Sequence, residues 1–167
     1  MTTKTQDVLI EKIRQGDVIT YSKRQDLPQG STQYYYLENP TDNGLIEIEG
    51  ISAVAGTKTD VNIHYNVDQT SQGTSMHVRN HRVSSSEDLG ITRQYNGSYD
   101  SLNDEPLEDT IPGGEGGAGP AGNVVGGKNS EQSISISPGN NVLFEFVNNS
   151  SSDGYIAPKF TVTLIDK

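Results

Sequence analysis

Short segments in which apolar and polar residues alternate run along most of this chain, and a period of two is typical of half-buried β-strands. About eight or nine such segments are separated by turn residues, with hardly any helical period. This pattern predicts an all-β protein, an antiparallel β-sandwich that is jelly-roll-like and carries one long Gly-rich loop. The predicted strands cover residues 17–21, 33–38, 45–55, 59–67, 73–78, 89–95, 132–137, 142–147 and 155–165.

Three local features refine these strands. Residues 41–44 (TDNG) predict a hairpin turn, because Asn-Gly accepts the positive φ that such turns need. The alternation in 45–55 slips by one residue, which predicts a β-bulge at Glu49-Gly50. In 59–67 one face is apolar, and His64 is expected to point away from it. The residues of that apolar face are Val61, Ile63, Tyr65 and Val67.

The N-terminal segment differs from the strand pattern that follows it, and this difference sets the predicted domain organisation. Residues 5–14 (TQDVLIEKIR) predict a short helix with one apolar face. A docking arm and a frayed terminus or N-terminal strand are both open interpretations of this segment. We therefore divide the chain into an N-terminal arm or short helix, 1–16, and a single β-sandwich domain, 17–167. The apolar face of the helix consists of Leu9, Ile10 and Ile13.

Residues 96–131 interrupt the strand pattern and are predicted to form the long loop. The stretch 100–109 holds five carboxylates, and 111–127 (IPGGEGGAGPAGNVVGG) holds eight of the 18 glycines of the chain. Glycine at this density opposes strand and helix interiors, because ordering its backbone is entropically costly. A loop of this length inside a compact domain is usually functional or disordered.

Composition limits the size of the core and the classes of partner. Leu, Ile, Val and Phe make up 37 of 167 residues, or 22%, so one thin core is expected. The chain has no cysteine, which excludes disulfides and thiolate metal sites. A net charge of −10 opposes binding to nucleic acid and to anionic membranes. The acidic surplus fits a high-salt environment and equally fits plain solubility, and no secretory signal is evident.

Catalytic and cofactor motifs are not evident, so we expect no enzyme activity and no cofactor. Gly127-Lys128 is followed by Asn129 and lacks the phosphate-loop pattern, and neither zinc-site spacing nor G-x-S-x-G is present. Carboxylates at mixed spacing could hold Ca²⁺ or another hard cation, whereas a solvated acidic loop is the default interpretation. The candidate cation ligands are Asp100, Asp104, Glu105, Glu108 and Asp109.

The turns and strands together resemble a family of small virion proteins, encoded among the head genes of tailed viruses that infect bacteria and archaea. The shared features are a strand ending in an NP turn, a VNIY-type strand, a GT…RN turn, an IPGG…GG loop and a C-terminal PG…N.S hairpin. The match covers residues 33–165, although the chain departs from it in its TVTLIDK end and its acidic segment before IPGG. The matching residues are Gly73-Thr74, Arg79-Asn80, Ile111–Gly114, Pro138-Gly139 and Asn148–Ser150.

This resemblance implies a capsid decoration protein or vertex-turret component on the head surface, made in the host cytoplasm and located in the virion. Such a protein would form a symmetric oligomer, a trimer or pentamer, and dock on the major capsid protein or other head-surface proteins. Three alternatives stay open: a receptor- or glycan-binding module of a viral tail or fibre, a small carbohydrate-active or metal-dependent β-sandwich enzyme, and a plain cellular β-sandwich adaptor. The candidate subunit or shell contacts are Leu9, Ile10, Ile13, Ile111, Pro112, Gly113, Gly114, Val124 and Val125.

Overall fold

The computed structural model describes residues 4–85, 88–111, 122–125 and 134–165, and its backbone is nearly all β. Within these ranges lie one helix, α1 (Lys4–Gln15), and fifteen strands. No helix there is both long and apolar enough to cross a membrane. The strands are β1 Val18–Ser22, β2 Gln25–Leu27, β3 Thr32–Glu38, β4 Ile46–Ala55, β5 Thr59–Tyr65, β6 Asp68–Ser71, β7 Thr74–Ser75, β8 His77–Asn80, β9 Thr92–Tyr95, β10 Ser98–Asp100, β11 Leu107–Ile111, β12 Gly122–Val125, β13 Ile134–Ile136, β14 Asn141–Val147 and β15 Gly154–Leu164.

Two antiparallel sheets form the sandwich. Sheet A has the order β12-β4-β15-β1-β8, with β13 also paired to β4 and β2 also paired to β15. Sheet B has the order β11-β5-β14-β3-β9-β7. Along the chain the path crosses from one sheet to the other at most connections, and the first and last strands, β1 and β15, are neighbours. The quartets β12/β13-β4-β15-β1/β2 and β11-β5-β14-β3 are the two sheets of a jelly roll, so the predicted fold class is confirmed.

The remaining strands belong to one insertion between β5 and β11, residues 66–106. It adds β8 to the edge of sheet A beside β1, and β9 and β7 to the edge of sheet B beside β3. Its other two strands, β6 and β10, pair with each other in a separate ribbon. The insertion therefore extends both sheets on the same side of the sandwich.

Aromatic rings from the two sheets meet in the core. Phe160 of sheet A lies 4.8 Å from Phe144 and 5.8 Å from Tyr35 of sheet B, measured between ring centroids. Tyr35 also meets Phe146 edge-on, with centroids 5.4 Å apart. All four rings are fully buried. Phe160 is thus the main aromatic contact between the sheets.

Two buried asparagines, Asn39 and Asn148, hold opposite ends of the β3–β14 pair by hydrogen bonds, and we call each set of bonds an end clamp. Asn39 follows β3, and its backbone bonds to the turn before β14: its N–H donates to Asn140 O, and its C=O accepts from Gly139 N. Asn148 follows β14 and makes the equivalent pair of bonds to the turn before β3, with Ser31 O and Gly30 N. Each turn contains a glycine with positive φ, +80° at Gly139 and +71° at Gly30. The two ends of the sheet are therefore closed in the same way.

The side-chain amides of these asparagines tie further segments to the same ends. Asn39 Nδ2 donates to Gly44 O at 2.9 Å and to Ile136 O at 2.8 Å. Asn148 Nδ2 donates to Leu27 O at 2.8 Å and to Ser152 O at 2.9 Å. Both asparagines are 0% exposed, so without these amides buried carbonyl groups would lose their partners.

The predicted bulge is confirmed, and the predicted hairpin at 41–44 is wrong. In the β4–β15 pair, Thr161 faces Gly50 and Val162 faces Ile48, which leaves Glu49 as the extra residue. The segment 41–44 does turn, with Asn43 N bonded to Pro40 O, but it joins β3 of sheet B to β4 of sheet A. The same turn residues serve in a hairpin and in a crossover between sheets. The residues of the turn therefore do not reveal which strand the next one pairs with.

The predicted loop 96–131 is wrong over three segments, which form β10, β11 and β12. Residues 107–110 of β11 are all exposed, so this edge strand lacks the alternation that a half-buried strand shows. It is held by backbone pairing with β5, from Leu107 opposite Ile63 to Ile111 opposite Thr59. Short edge strands of this kind raise the strand number to fifteen, above the predicted eight or nine.

The predicted apolar face of 59–67 is correct only for its first half. Val61 and Ile63 are fully buried in the core, whereas Tyr65 is 40% exposed. Asn66 has a φ of +53° and ends the strand, so Val67 packs in a separate cluster outside sheet B. The strand therefore ends before the alternating pattern does.

We predict that Phe160→Ala lowers the free energy of unfolding by about 3–5 kcal/mol, because a large buried ring is removed from the contact between sheets. The control is Lys159→Ala, which changes an exposed side chain of the same strand and should stay within about 0.5 kcal/mol of wild type. Urea denaturation monitored by circular dichroism measures both. Equal effects of the two substitutions would contradict this role.

We also predict that Asn39→Ala and Asn148→Ala each lower the free energy of unfolding by about 1–3 kcal/mol, because each leaves buried carbonyl oxygens without donors. Asn149→Ala is the matched control, since it removes an exposed hydrogen bond, to Asp60 Oδ2, instead of a buried one. The same denaturation experiment applies. A loss at Asn149 as large as at Asn148 would disprove the clamp.

Candidate functional site

The N-terminal segment is a helix that is fixed to the sandwich at its C-terminal end. Gly16 has a φ of +81°, and the bonds Gly16 N to Ile13 O and Asp17 N to Lys12 O form a Schellman motif. Lys12 Nζ donates to Ile165 O at 2.9 Å and lies 3.9 Å from Asp17 Oδ2. The last turn of α1 is therefore held beside the end of β15.

The three residues of the predicted apolar face of this helix differ in their exposure. Leu9 and Ile13 are half-buried, whereas Ile10 is 45% exposed. Val8, which the sequence prediction did not include, is 58% exposed. Among residues 8–15 of α1, Val8 and Ile10 are thus the apolar side chains that are exposed.

The other predicted contact residues have different positions. Ile111 is 1% exposed and belongs to the core, where it ends β11 opposite the buried Thr59. Its role in a subunit or shell contact stays a prediction. Val124 and Val125 lie in β12, which pairs with β4. Residues 112–114, predicted as Pro112, Gly113 and Gly114 contacts, lie outside the described residues.

The acidic residues proposed as cation ligands are spread over three elements. Asp100 ends β10, Asp104 and Glu105 lie between β10 and β11, and Glu108 and Asp109 lie on β11. In the described parts of the chain, no three His, Asp or Glu side chains are grouped closely enough to hold a metal ion. These carboxylates therefore do not form a shared calcium site.

Two of the acidic residues, Glu108 and Asp109, instead line a cleft of about 600 Å³ at the edge of sheet B. Asp60 is fixed in this cleft because it accepts hydrogen bonds from Asn149 Nδ2 at 2.5 Å and from Thr110 Oγ1 at 3.3 Å. The outward positions of β5 could have indicated Asp60, but nothing local indicates that Asn149 reaches it. The remaining lining residues are Asn62 and Val147.

A buried polar group lies next to this cleft on the outer face of sheet B. Glu145 Oε1 accepts from Asn62 Nδ2 at 2.7 Å and lies 3.7 Å from His64 Nε2. His64 points away from the core as predicted, yet it is only 3% exposed, and Asn103 of the insertion is bonded to its ring. Asn103 N donates to His64 Nδ1 at 3.1 Å, which places the proton of a neutral ring on Nε2. The imidazole is therefore a structural support for the insertion.

Tyrosine rings attach the insertion to the outer face of sheet B. Tyr99 of the insertion stacks on Tyr36, with centroids 5.2 Å apart, and meets Tyr34 edge-on at 5.6 Å. Gly97 must lack a side chain, because a Cβ there would lie 2.5 Å from the Tyr99 hydroxyl oxygen. A Cβ at Gly73, the glycine of the GT turn, would collide with the carbonyl oxygen of Tyr95. Close packing of the insertion thus explains both glycines.

Burial changes the acidity of these phenols. It raises the pKa of Tyr99 from 10.0 to about 12, and desolvation by burial is also the main cause of the raised pKa values of Tyr34 and Tyr36. The neutral phenol is therefore favoured in the folded protein.

We predict that the protein loses stability in alkaline solution. A folded-state pKa above the unfolded value means that the stabilising contribution of Tyr99 is complete below pH 10 and is lost as the pH rises towards about 12. Urea denaturation at a series of pH values should show this decline, and Tyr99→Phe should make it shallower. Identical pH profiles for the two proteins would contradict the assignment.

Comparisons with known proteins give no family for this chain. No family model matches it, and no curated protein matches it. A solved structure of a marine algae virus of the order Picornavirales is similar over 100% of this chain and 79% of that chain, with 9% identity and a TM-score of 0.27. A structure of infectious bursal disease virus Gx strain is similar over 90% of this chain and 40% of that chain, with 14% identity and a TM-score of 0.19. Scores this low do not establish a shared fold, so the jelly-roll assignment rests on the strand order alone.

Proposed function

We propose that this protein is a non-enzymatic structural component of a virus particle, a decoration or vertex-turret protein on the head of a tailed virus. The observation that carries this proposal is the jelly-roll order of the two strand quartets, an architecture that viral capsid proteins and lectins use. Because a fold hosts many functions, the proposal also rests on the sequence resemblance to head-associated virion proteins.

Several of the residues that carry the resemblance have structural roles in this fold. Asn39, Pro138-Gly139 and Asn148 belong to the two end clamps. Gly73 permits the close packing of the insertion. The acidic segment in which this chain departs from the family is exposed. These structural roles support the proposal that the chain shares the fold of the proteins it resembles.

The described polar groups also favour a binding role over catalysis. The one histidine–carboxylate pair within 4 Å in the described ranges is His64 with Glu145, and both side chains are mostly covered. A general base needs access to its substrate, which a covered imidazole lacks. The polar groups of the cleft beside β11, by contrast, are open to solvent.

Helix α1 is the element best suited to contact a neighbouring subunit or the shell. Its C-terminal turn is fixed by Lys12, whereas Val8 and Ile10 remain exposed. Burial of these side chains in a symmetric assembly would remove apolar surface from water and repeat the same contact around the symmetry axis. The protein would then form a trimer or pentamer that docks on shell proteins.

We predict a closed oligomer whose formation depends on α1. Light scattering of the purified protein at low and high salt should give a trimer or pentamer mass, and the double substitution Val8→Asp, Ile10→Asp should give a monomer, because charge opposes burial of these positions. The control is Leu107→Asp, at a side chain that is 52% exposed on β11, which should leave the oligomer intact.

Quantitative mass spectrometry of purified virus particles tests the location independently. Tens to hundreds of copies per particle support a head-surface protein, and a handful of copies would point to the tail instead. Absence of the chain from particles, together with a monomer at both salt concentrations, would disprove the proposal.

A further inference from the structure

A second cavity, of about 150 Å³, lies at the end of the sandwich where β5 stops and the β13–β14 turn begins. Six of its seven lining side chains carry a hydroxyl or an amide, and none carries a formal charge. This composition differs from that of the acidic cleft beside β11. The lining residues are Tyr65, Asn66, Ser135, Ile136, Ser137, Asn140 and Asn141.

The β5 wall of this cavity is held by hydrogen bonds that leave its outer groups accessible. Tyr65 N donates to Asn103 Oδ1 at 2.6 Å, while the tyrosine side chain stays 40% exposed. Asn66 has a φ of +53°, and its Oδ1 accepts from Asn141 N at 3.3 Å. Asn141 in turn uses both side-chain atoms on the backbone of Val67, at 3.0 Å each. The wall is thus fixed before any ligand arrives.

The opposite wall is the turn that Asn39 clamps. Asn140 N donates to Ser137 O at 3.1 Å, and Asn140 O accepts from Asn39 N at 3.0 Å. Asn39 also binds the carbonyl of Ile136, which lies in the floor of the cavity. Both walls are therefore pre-organised, which lowers the entropic cost of binding.

Several polar groups around the cavity have unused hydrogen-bonding capacity. Among the described residues, none bonds to Asn66 Nδ2 or to the side-chain amide of Asn140. The hydroxyls of Ser135, Ser137 and Tyr65 likewise have no partner within those ranges. The cavity thus presents both donors and acceptors, next to one accessible aromatic ring.

We propose that this cavity is a saccharide-binding site that takes one neutral sugar ring of a glycan. Vicinal hydroxyls both donate and accept, so they match amide and hydroxyl side chains, and the C–H face of a pyranose can pack on the ring of Tyr65. An anion would need a basic side chain, and a metal cation would need carboxylates; the lining residues include neither. The inference does not depend on the proposed virion role.

The experiment is nuclear magnetic resonance of the full chain titrated separately with D-glucose, D-galactose, D-mannose and N-acetyl-D-glucosamine. At least one sugar should shift the side-chain amide signals of Asn66 and Asn140 and the ring signals of Tyr65. Tyr65→Ala should weaken that binding by about tenfold, the equivalent of one aromatic contact. Asn66→Gly should also weaken it, because glycine keeps the positive φ and removes the free Nδ2 donor together with the Oδ1 that accepts from Asn141 N.

The control variant is Leu107→Ala, whose side chain is exposed on β11, and it should bind the sugar as wild type does. Retained signal dispersion shows that each variant is folded. The proposal is overturned if none of the four sugars shifts the cavity signals, or if the shifts persist unchanged in Tyr65→Ala and Asn66→Gly. Equal shifts with inorganic phosphate or calcium chloride would also overturn it, because the site would then lack selectivity for neutral sugars.

Discussion

The backbone at the two ends of the β3–β14 pair needs hydrogen-bond partners that no neighbouring strand can supply, and two asparagines provide them. A jelly roll leaves one sheet and enters the other at these ends, so the crossing segments have no ladder of their own. Asn39 and Asn148 each combine backbone bonds to a glycine-containing turn with two side-chain bonds to more distant carbonyls. These bonds fix both crossovers, and they allow a chain with few large apolar residues to keep two sheets in register.

The clamp at Asn39 also connects the fold to the proposed saccharide site. The turn that it holds supplies one wall of the cavity, and the end of β5 supplies the other. Hydrogen bonds already hold both walls, so the polar groups that line the cavity are in place without any movement of the backbone. The hydrogen bonds that stabilise the crossover thus also pre-organise a surface site, as is common for loops carried on a rigid scaffold.

The insertion gives the two sides of the sandwich different properties. On the β1–β3 side it extends both sheets, and its tyrosine cluster with Tyr99 covers part of the outer face of sheet B. On the β11 side the strand edge stays exposed and acidic, with Asp60 and Glu108 in an open cleft. The two sides of the sandwich therefore differ: the insertion lengthens both sheets on one side, and an acidic edge strand borders the other.

The sequence by itself determined the fold class and the Glu49 bulge, because both depend on the alternation of apolar and polar residues. At the N-terminus it left a helix and a strand both open, and the structure shows the helix α1. It located the residues of the turns but did not identify their partners: Asn39 was part of a recognised NP turn, yet its bonds to Ile136 join residues far apart in sequence. Strand β11 was missed because an exposed edge strand is held by backbone pairing, which leaves no apolar pattern. The burial of His64, and the position of Tyr65 and Asn140 around one cavity, were likewise decided only by the tertiary structure. An outward position on a strand is exposed or covered according to what packs over it.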